Sequence, residues 1–173
     1  QHVRRQTLSV RRTVELVLEL CDAVQHAHER FVLHQDLKPD NILVDAAERV
    51  HVIDFGVWRQ LDSQAEKSPD LASPSVAGTL AYMSPEQLRD EPMTPDVRTD
   101  VYAIGAVLYE LLTGEPPFGA DGSDRETIVR AIRERAPLPA SAARSSIPTD
   151  LDWIIIKALT KNPDHRYMTA ADL

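Results

Sequence analysis

Residues 34–41 read His-Gln-Asp-Leu-Lys-Pro-Asp-Asn, and residues 54–56 read Asp-Phe-Gly. Two short runs rich in β-branched residues lie between these stretches, at 42–44 and 50–53. A polar segment at 45–49 joins the two runs. An apolar run, a polar link and a second apolar run in this order predict a β-hairpin.

The predicted hairpin determines where three oxygen-bearing side chains lie. Asp36 and Asn41 precede the first strand, and Asp54 follows the second. Because a hairpin returns its two ends to the same place, we expect these three side chains to converge. Lys38 adds an ammonium group to them. Mg²⁺ prefers oxygen ligands and takes few of them from a protein, so the sequence predicts a site for Mg²⁺ and a polyphosphate.

Segments with helical patterns precede and follow the hairpin in the sequence. Apolar residues recur at helical spacing from Ser9 to about Arg30, which predicts an amphipathic helix. The segment from Asp100 to Leu112 is almost wholly apolar and predicts a buried helix that ends at Gly114. Shorter helices are expected at 124–135, at 150–160 and from Thr169 onward. The predicted fold class is therefore mainly α, with one small β-hairpin.

Composition narrows the possible classes of protein. The 173 residues suit one domain, and 27 acidic against 19 basic side chains give a net charge of -8. This acidity argues against a nucleic-acid partner, which a basic surface would normally bind. We expect no membrane segment in this chain, because no apolar run approaches the roughly 20 residues that a bilayer requires. Cys21 has no second cysteine to pair with, and we expect it to be an inert core residue.

Several motifs follow one another in a fixed order along the chain. They are His-x-Asp-Leu-Lys-Pro-x-Asn at 34–41, Asp-Phe-Gly at 54–56, Gly-Thr at 78–79, Ser-Pro-Glu at 84–86, Asp-Val-Tyr-Ala-Ile-Gly at 100–105, Leu-Leu-Thr-Gly-Glu-Pro-Pro-Phe at 111–118 and Lys-Asn-Pro at 161–163. This ordered set resembles the eukaryotic-type serine/threonine protein kinases, and the later motifs are similar to those of bacterial members.

The resemblance implies a fold and a domain assignment. Residues 1–173 would form the C-terminal lobe of a protein kinase domain, a helical bundle with a small β-hairpin at the catalytic cleft. This lobe is one part of the α+β protein-kinase-like fold. The sequence contains no Gly-rich loop and no Val-Ala-x-Lys. We therefore expect the N-terminal lobe to precede residue 1, and the lobe to continue past residue 173.

The resemblance also implies catalytic and binding roles. Asp36 would accept or orient the proton of the substrate hydroxyl, and Lys38 would steady the transferred phosphoryl group. Asn41 and Asp54 would hold the Mg²⁺ ions, and Leu43 would form part of the floor under the adenine ring. The implied cofactors are therefore ATP and Mg²⁺.

A second group of residues would be structural. His34 and Phe55 would belong to an internal spine of packed side chains. Glu86 and Arg166 would form a buried ion pair that fixes the substrate-binding segment. Asp100 would anchor the backbone of the catalytic loop from the buried helix.

Two further positions bear on substrate and regulation. Lys38, two residues after Asp36, resembles serine/threonine rather than tyrosine kinases, and Thr79 in the substrate segment indicates the same type. Gln35 stands where most members carry Arg, so this position lacks the cation that would pair with a phosphate on the activation loop, and Arg59 is an alternative source of that charge.

The expected partners are therefore ATP and protein substrates with serine or threonine hydroxyls. Two alternatives remain at this point: a pseudokinase or interaction module that keeps the fold, and a small-molecule phosphotransferase. The motifs at 78–79, 84–86 and 100–105 disfavour the second, since they would shape a groove for a protein segment. We expect the isolated chain to be inactive without the other lobe. We also expect a cytoplasmic location, with any membrane anchor lying outside these residues.

Overall fold

The computed structural model of the chain describes residues 8–55, 80–89, 96–119 and 124–173. In chain order the main elements are α1 (Val10–His28), β1 (Ile42–Val44), β2 (Val50–Val52), α2 (Val97–Thr113), α3 (Arg125–Glu134), α4 (Ala140–Ala143) and α5 (Thr149–Ala158). Short 3-10 helices occupy Pro39–Asn41, Pro85–Leu88, Pro163–His165 and Ala170–Asp172. The prediction of a mainly helical chain with one small hairpin is confirmed for these residues.

The hairpin is antiparallel and rests on helix α1. Ile42 pairs with Val52, and Val44 pairs with Val50. The carboxylate of Glu19 on α1 accepts a hydrogen bond of 3.0 Å from the Val50 N–H. This bond gives a partner to a backbone donor near the tip, and so ties the short hairpin to the helix.

Helix α1 begins and packs as the sequence predicts. The Ser9 hydroxyl accepts a hydrogen bond from the Arg12 N–H at 3.1 Å, which satisfies one of the free donors at the helix start. Leu16, Leu20 and Val24 recur at a spacing of four residues and are all buried. Their spacing places them on one face, and Leu20 and Val24 belong to the main core cluster.

Helix α2 is the centre of the bundle. It packs against both α1 and α5. A Cβ atom built on Gly105 would lie only 2.7 Å from the Cβ of Ala158, so glycine permits the close approach of α2 to α5. The helix ends where Gly114 takes a left-handed conformation with a φ of 91°, which glycine adopts without steric cost.

The structure departs from the predicted helices in two places. Residues Ala140–Ala143 form one short helical turn after Pro139 that the periodicity did not indicate. The helix predicted from Thr169 onward is instead a 3-10 helix at Ala170–Asp172, in which Thr169 and Asp172 cap each other. Periodicity is informative over several turns, and neither of these segments is long enough to show it.

Two predictions from composition concern individual features of the fold. Cys21 is buried in the core, where burial raises the pKa of its thiol to about 12. A thiol with this pKa stays protonated and unreactive at neutral pH. In the part of the chain that the structure describes, no helix combines the length and the apolar character that crossing a membrane demands.

Candidate active site

Three side chains of the loop before the hairpin meet at the Asp36 carboxylate. The Lys38 ammonium lies 2.9 Å from Asp36 Oδ2. The amide Nδ2 of Asn41 donates to the Asp36 backbone oxygen at 2.7 Å and also lies 3.3 Å from Asp36 Oδ2. Asp36 and Lys38 are partly exposed, whereas Asn41 is buried. The carboxylate is therefore held in one orientation while it remains open to solvent on one side.

A tight turn brings Asn41 back towards Asp36. Pro39 opens the 3-10 helix Pro39–Asn41, where its fixed φ suits the first position of a helical turn. The Asn41 N–H donates to the Lys38 carbonyl at 3.0 Å and closes this turn. Lys38 itself is extended, which allows its side chain to reach back to Asp36.

Asp54 lies at the same end of the hairpin. The N–H of Ile53 donates to the Asn41 carbonyl at 3.0 Å, which places the next residue, Asp54, beside the end of the loop. Asp54 is exposed and has a φ of 62°. A left-handed conformation costs a non-glycine residue about 1 to 3 kcal/mol and is concentrated at functional sites. The structure thus brings Asp36, Lys38 and Asn41 into contact and sets Asp54 next to them.

The side-chain oxygen atoms of Asn41 and Asp54 suit a metal ion that binds together with a phosphate. Asn41 uses its Nδ2 on Asp36, so its Oδ1 can serve as an oxygen ligand, and Asp54 supplies a carboxylate. Within the described ranges no group of three or more His, Cys, Asp or Glu side chains could hold a metal. Mg²⁺ typically takes one or two carboxylates and completes its shell with water and substrate phosphates. The residues present therefore fit Mg²⁺ bound together with a polyphosphate.

His34 packs beneath this end of the hairpin. Its ring is fully buried, and its Nε2 donates to the Ile53 carbonyl at 2.9 Å. The Asp36 N–H lies 3.3 Å from His34 Nδ1, which therefore acts as the acceptor. The Phe55 ring lies 4.7 Å from the His34 ring. Leu43, in contrast, is on strand β1 with an exposed side chain.

Asp100 on α2 binds the backbone at the start of the loop that contains Asp36. Its carboxylate accepts the His34 N–H at 2.8 Å and the Gln35 N–H at 2.7 Å. The Nε2 of buried His28 makes a third bond at 2.8 Å. No local pattern in the sequence connects His28 to Asp100, because the two residues lie 72 positions apart.

Glu86 and Arg166 form a buried, bidentate ion pair. Arg166 Nη1 and Nη2 donate to the two carboxylate oxygens of Glu86 at 2.6 and 2.7 Å. The guanidinium also stacks on the Tyr102 ring, 4.9 Å from its centroid. Burial alone would raise the pKa of Glu86, but the hydrogen bonds and charge of Arg166 outweigh it and lower the net pKa. The remaining Arg166 donors bond to the carbonyls of Arg98, Thr160 and Lys161.

Two other positions, Thr79 and Gln35, were predicted to bear on substrate choice and regulation. Thr79 lies outside the described residues, and its role stays a prediction. Gln35 has a left-handed φ of 67°, and its carbonyl accepts a bond of 2.6 Å from the side chain of Gln87. Sequence reasoning missed Gln87. The only local signal for it is the Ser-x-x-Gln spacing from Ser84, which is typical of a capping box.

Known proteins are similar to this chain over most of its length. The family described as "Protein kinase domain" matches residues 1–173. Serine/threonine-protein kinase PknB of Mycobacterium tuberculosis is 40% identical over 166 residues, which is 96% of this chain and 26% of PknB. PknB of Mycolicibacterium smegmatis is 42% identical over 166 residues, 96% of this chain and 26% of that protein. Serine/threonine-protein kinase PknD of M. tuberculosis is 38% identical over 167 residues, 96% of this chain and 24% of PknD.

The chain therefore spans about a quarter of the length of these curated relatives. The family match, in contrast, covers the whole chain. The chain belongs to the protein kinase domain family and is of the eukaryotic-type serine/threonine kind.

Proposed function

We propose that this chain supplies the catalytic loop, the magnesium loop and the substrate-binding segment of an enzyme that transfers a phosphoryl group from ATP to serine or threonine hydroxyls of proteins. The observation that carries the proposal is the arrangement at Asp36. Its carboxylate contacts the Lys38 ammonium and the Asn41 amide, and Asp54 lies at the same end of the hairpin.

The chemistry follows from what these side chains can do. Asp36 has an exposed carboxylate edge, so it can orient a substrate hydroxyl and accept its proton. The Lys38 ammonium lies 2.9 Å from Asp36 Oδ2, so it can contact both this carboxylate and the phosphoryl group that the hydroxyl attacks. Asn41 and Asp54 would hold Mg²⁺, which when bound neutralises charge on the phosphates. Positioning and charge stabilisation then account for most of the expected rate.

We also propose that residues 1–173 act as the C-terminal lobe of the kinase domain, with Leu43 in the floor of the adenine site and Thr79 in the substrate segment. The exposed side chains of Leu43 and Ile53 support this assignment, because a nucleotide and a second lobe would cover them. We place this part of the protein in the cytoplasm, where ATP and Mg²⁺ are available.

The isolated chain offers a test of the lobe assignment. It contains no Gly-rich loop to close over the phosphates. We therefore expect residues 1–173 alone to bind Mg²⁺–ATP only weakly in a calorimetric titration and to transfer no phosphate. A micromolar dissociation constant would contradict the assignment, because it would mean that these residues form a complete nucleotide site.

Activity is tested on the full-length protein that carries this chain. Incubation with radiolabelled ATP, Mg²⁺ and a generic protein substrate should yield phosphoserine or phosphothreonine after acid hydrolysis. The Asp54→Asn variant should lose most of this activity and require more Mg²⁺, since it removes the carboxylate ligand. ATP binding without any transfer would favour the pseudokinase alternative. Phosphate on a small metabolite instead of protein would favour the phosphotransferase.

A further inference from the structure

The side chain of Gln87 connects two parts of the site that no motif links. Gln87 lies in the 3-10 helix Pro85–Leu88, directly after Glu86 of the Ser-Pro-Glu motif. Its Nε2 donates to the Gln35 carbonyl at 2.6 Å, across 52 residues of sequence. Gln35 immediately precedes Asp36. In the part of the chain that the structure describes, this side-chain hydrogen bond therefore connects the substrate-binding segment to the catalytic loop next to the proposed proton acceptor.

Both ends of the Gln87 amide are used, and their roles cannot be exchanged. Its Oε1 accepts from the Ser84 N–H at 3.0 Å and from the Ser84 hydroxyl at 3.1 Å. A backbone N–H can only donate and a backbone carbonyl can only accept, so the NH₂ group must face Gln35. A carboxylate at this position would keep the bonds to Ser84 and would set two acceptors against each other at Gln35.

The bond acts on the peptide unit that leads into Asp36. The carbonyl of Gln35 and the N–H of Asp36 belong to one planar group, so orienting one orients the other. The carbonyl is held by Gln87, and the N–H lies 3.3 Å from His34 Nδ1. Gln35 also has a left-handed φ of 67°, which a non-glycine residue keeps only where its surroundings hold it.

Asp100 and Gln87 hold Gln35 from two different elements. Asp100 on α2 accepts the Gln35 N–H at 2.7 Å, whereas Gln87 binds its carbonyl from the substrate segment. Helix α2 is a rigid support in the core. The contact from Gln87 gives a displacement of the substrate segment a path to the peptide unit that leads into Asp36.

We propose that Gln87 is a positioning residue that sets the orientation of Asp36 and couples it to the substrate-binding segment. This inference rests on the proposed kinase activity. Losing the bond should lower kcat, because a catalytic group displaced by a fraction of an ångström reacts more slowly. The KM for ATP should not change, because Asn41, Asp54 and Leu43 form the proposed nucleotide side of the site.

Two variants of the full-length protein separate positioning from stability. Gln87→Glu is nearly isosteric and keeps the acceptor that caps Ser84, because Ser-x-x-Glu is itself a capping box. It removes only the donor to Gln35. Gln87→Met has a similar shape and no charge, but it loses the cap as well. A purely structural role predicts that Gln87→Glu behaves as wild type and that Gln87→Met alone melts earlier.

The assay measures kcat, the KM for ATP and thermal unfolding for both variants, with wild type and Asp36→Asn alongside. We expect kcat to fall about 10-fold or more in both variants. The KM for ATP should stay within about twofold of wild type, and the melting temperature should fall less in Gln87→Glu, which keeps the cap, than in Gln87→Met. If Gln87→Met does not fold, Gln87→Glu alone decides the outcome.

Three results would overturn the inference. If wild type transfers phosphate, Asp36→Asn does not, and Gln87→Glu keeps the wild-type kcat, then only the role of Gln87 is refuted. A rise in the KM for ATP together with the fall in kcat would indicate general distortion of the site and would also refute it. If wild type is inactive, or if Asp36→Asn is as active as wild type, the proposed function itself fails and the inference fails with it.

Discussion

Two ion-pair networks in this molecule have similar geometry and opposite surroundings. In the buried network, Arg166 binds Glu86 at 2.6 and 2.7 Å, and the exposed fraction of the Arg166 side chain is 0%. In the exposed network, Asp45 binds Arg49 at 3.0 Å, where the exposed fraction of the arginine side chain is 71%. His51 also binds Asp45 at 2.9 Å. Distances alone would rank the two networks nearly equal.

Burial makes the two networks energetically different. Water screens the charges around Asp45, and exposed pairs of this kind contribute little to stability. Removing one partner of a buried pair leaves an uncompensated charge inside the protein, which is strongly destabilising. The networks also differ in reach, because Glu86 and Arg166 are 80 residues apart whereas Asp45 and Arg49 are four apart. The buried pair therefore holds distant segments together, and the exposed one stabilises only its own turn.

The largest expected effect comes from breaking the buried pair with Arg166→Met. The substitution leaves Glu86 buried without its cation and should lower the free energy of unfolding by about 3 to 5 kcal/mol. For a chain of this size, the melting temperature should fall by on the order of 10 °C. Thermal unfolding at pH 7 measures this shift, and a fall below about 2 °C would contradict the buried-pair account.

The pH dependence of the same variant sharpens the test. Because the pKa of Glu86 in the folded protein is below the ordinary value for a glutamate, the pair stabilises the fold fully above about pH 4.5. That contribution is lost as the pH falls through the folded pKa. The difference between wild type and Arg166→Met should therefore shrink in acid. A difference that stayed constant down to pH 3 would show that the charge on Glu86 is not responsible.

Replacing a buried cation that has no carboxylate partner should have the opposite effect and increase the free energy of unfolding. The Lys161 ammonium is buried without a hydrogen-bond partner among the described residues, and it lies 3.9 Å above the centroid of the Phe118 ring. We expect Lys161→Met to raise the free energy of unfolding by roughly 1 kcal/mol at pH 7, because it removes a desolvated charge and keeps the packing. Thermal unfolding should show a rise of about 2 to 4 °C.

The pH dependence of stability and a matched control variant separate the desolvation penalty of Lys161 from other effects of replacing a lysine with methionine. Burial, with a smaller contribution from the charge of Arg166, lowers the pKa of Lys161 to about 8. The charge penalty is thus constant below pH 8 and is relieved as the pH rises from 8 towards 10.5, so the advantage of Lys161→Met should disappear there. Lys157→Met is the control, because that exposed ammonium lies 4.2 Å from the centroid of the Tyr167 ring. A lower melting temperature for Lys161→Met would mean that attraction to Phe118 outweighs desolvation.

The smallest effect is expected from Asp45→Asn in the exposed network. The hydrogen bond from His51, with those from Arg49, holds the pKa of Asp45 well below its usual range. The amide oxygen of asparagine can still accept the backbone bonds from Ala47 and Arg49 that shape the turn. We expect no measurable change in the melting temperature at pH 7, in low or high salt. A fall in melting temperature as large as that of Arg166→Met would show that solvent exposure does not determine how much an ion pair contributes to stability.

The local elements of the fold could be predicted because their signals are local. Ser9 marks the start of α1, Gly114 marks the end of α2, and the polar segment at 45–49 marks the hairpin turn. Each of these signals lies within a few residues of the feature that it predicts. Helical and strand periodicity repeat over the same short distance.

The contacts that build the site depend on tertiary structure instead. His28 reaches Asp100 across 72 residues and Gln87 reaches Gln35 across 52, and no spacing rule connects such pairs. Glu86 and Arg166 could be named as partners only through the resemblance to a family. Thr79 remains a prediction, since it lies outside the described residues. The contact of Asp36 with Lys38 and Asn41 thus follows from local signals, whereas the hydrogen bonds from His28 and Gln87 do not.

The most direct test of the central claim compares two aspartates that each contact a basic side chain. Asp36 lies beside Lys38 in the proposed site, and Asp45 lies beside Arg49 in the exposed turn. The measurement is the single-turnover rate of phosphoryl transfer from Mg²⁺–ATP to a protein substrate by the full-length protein. We predict that Asp36→Asn lowers this rate by about 100-fold or more and that Asp45→Asn leaves it within about twofold. Equal rates for wild type and Asp36→Asn would contradict the assignment of this loop as the catalytic centre.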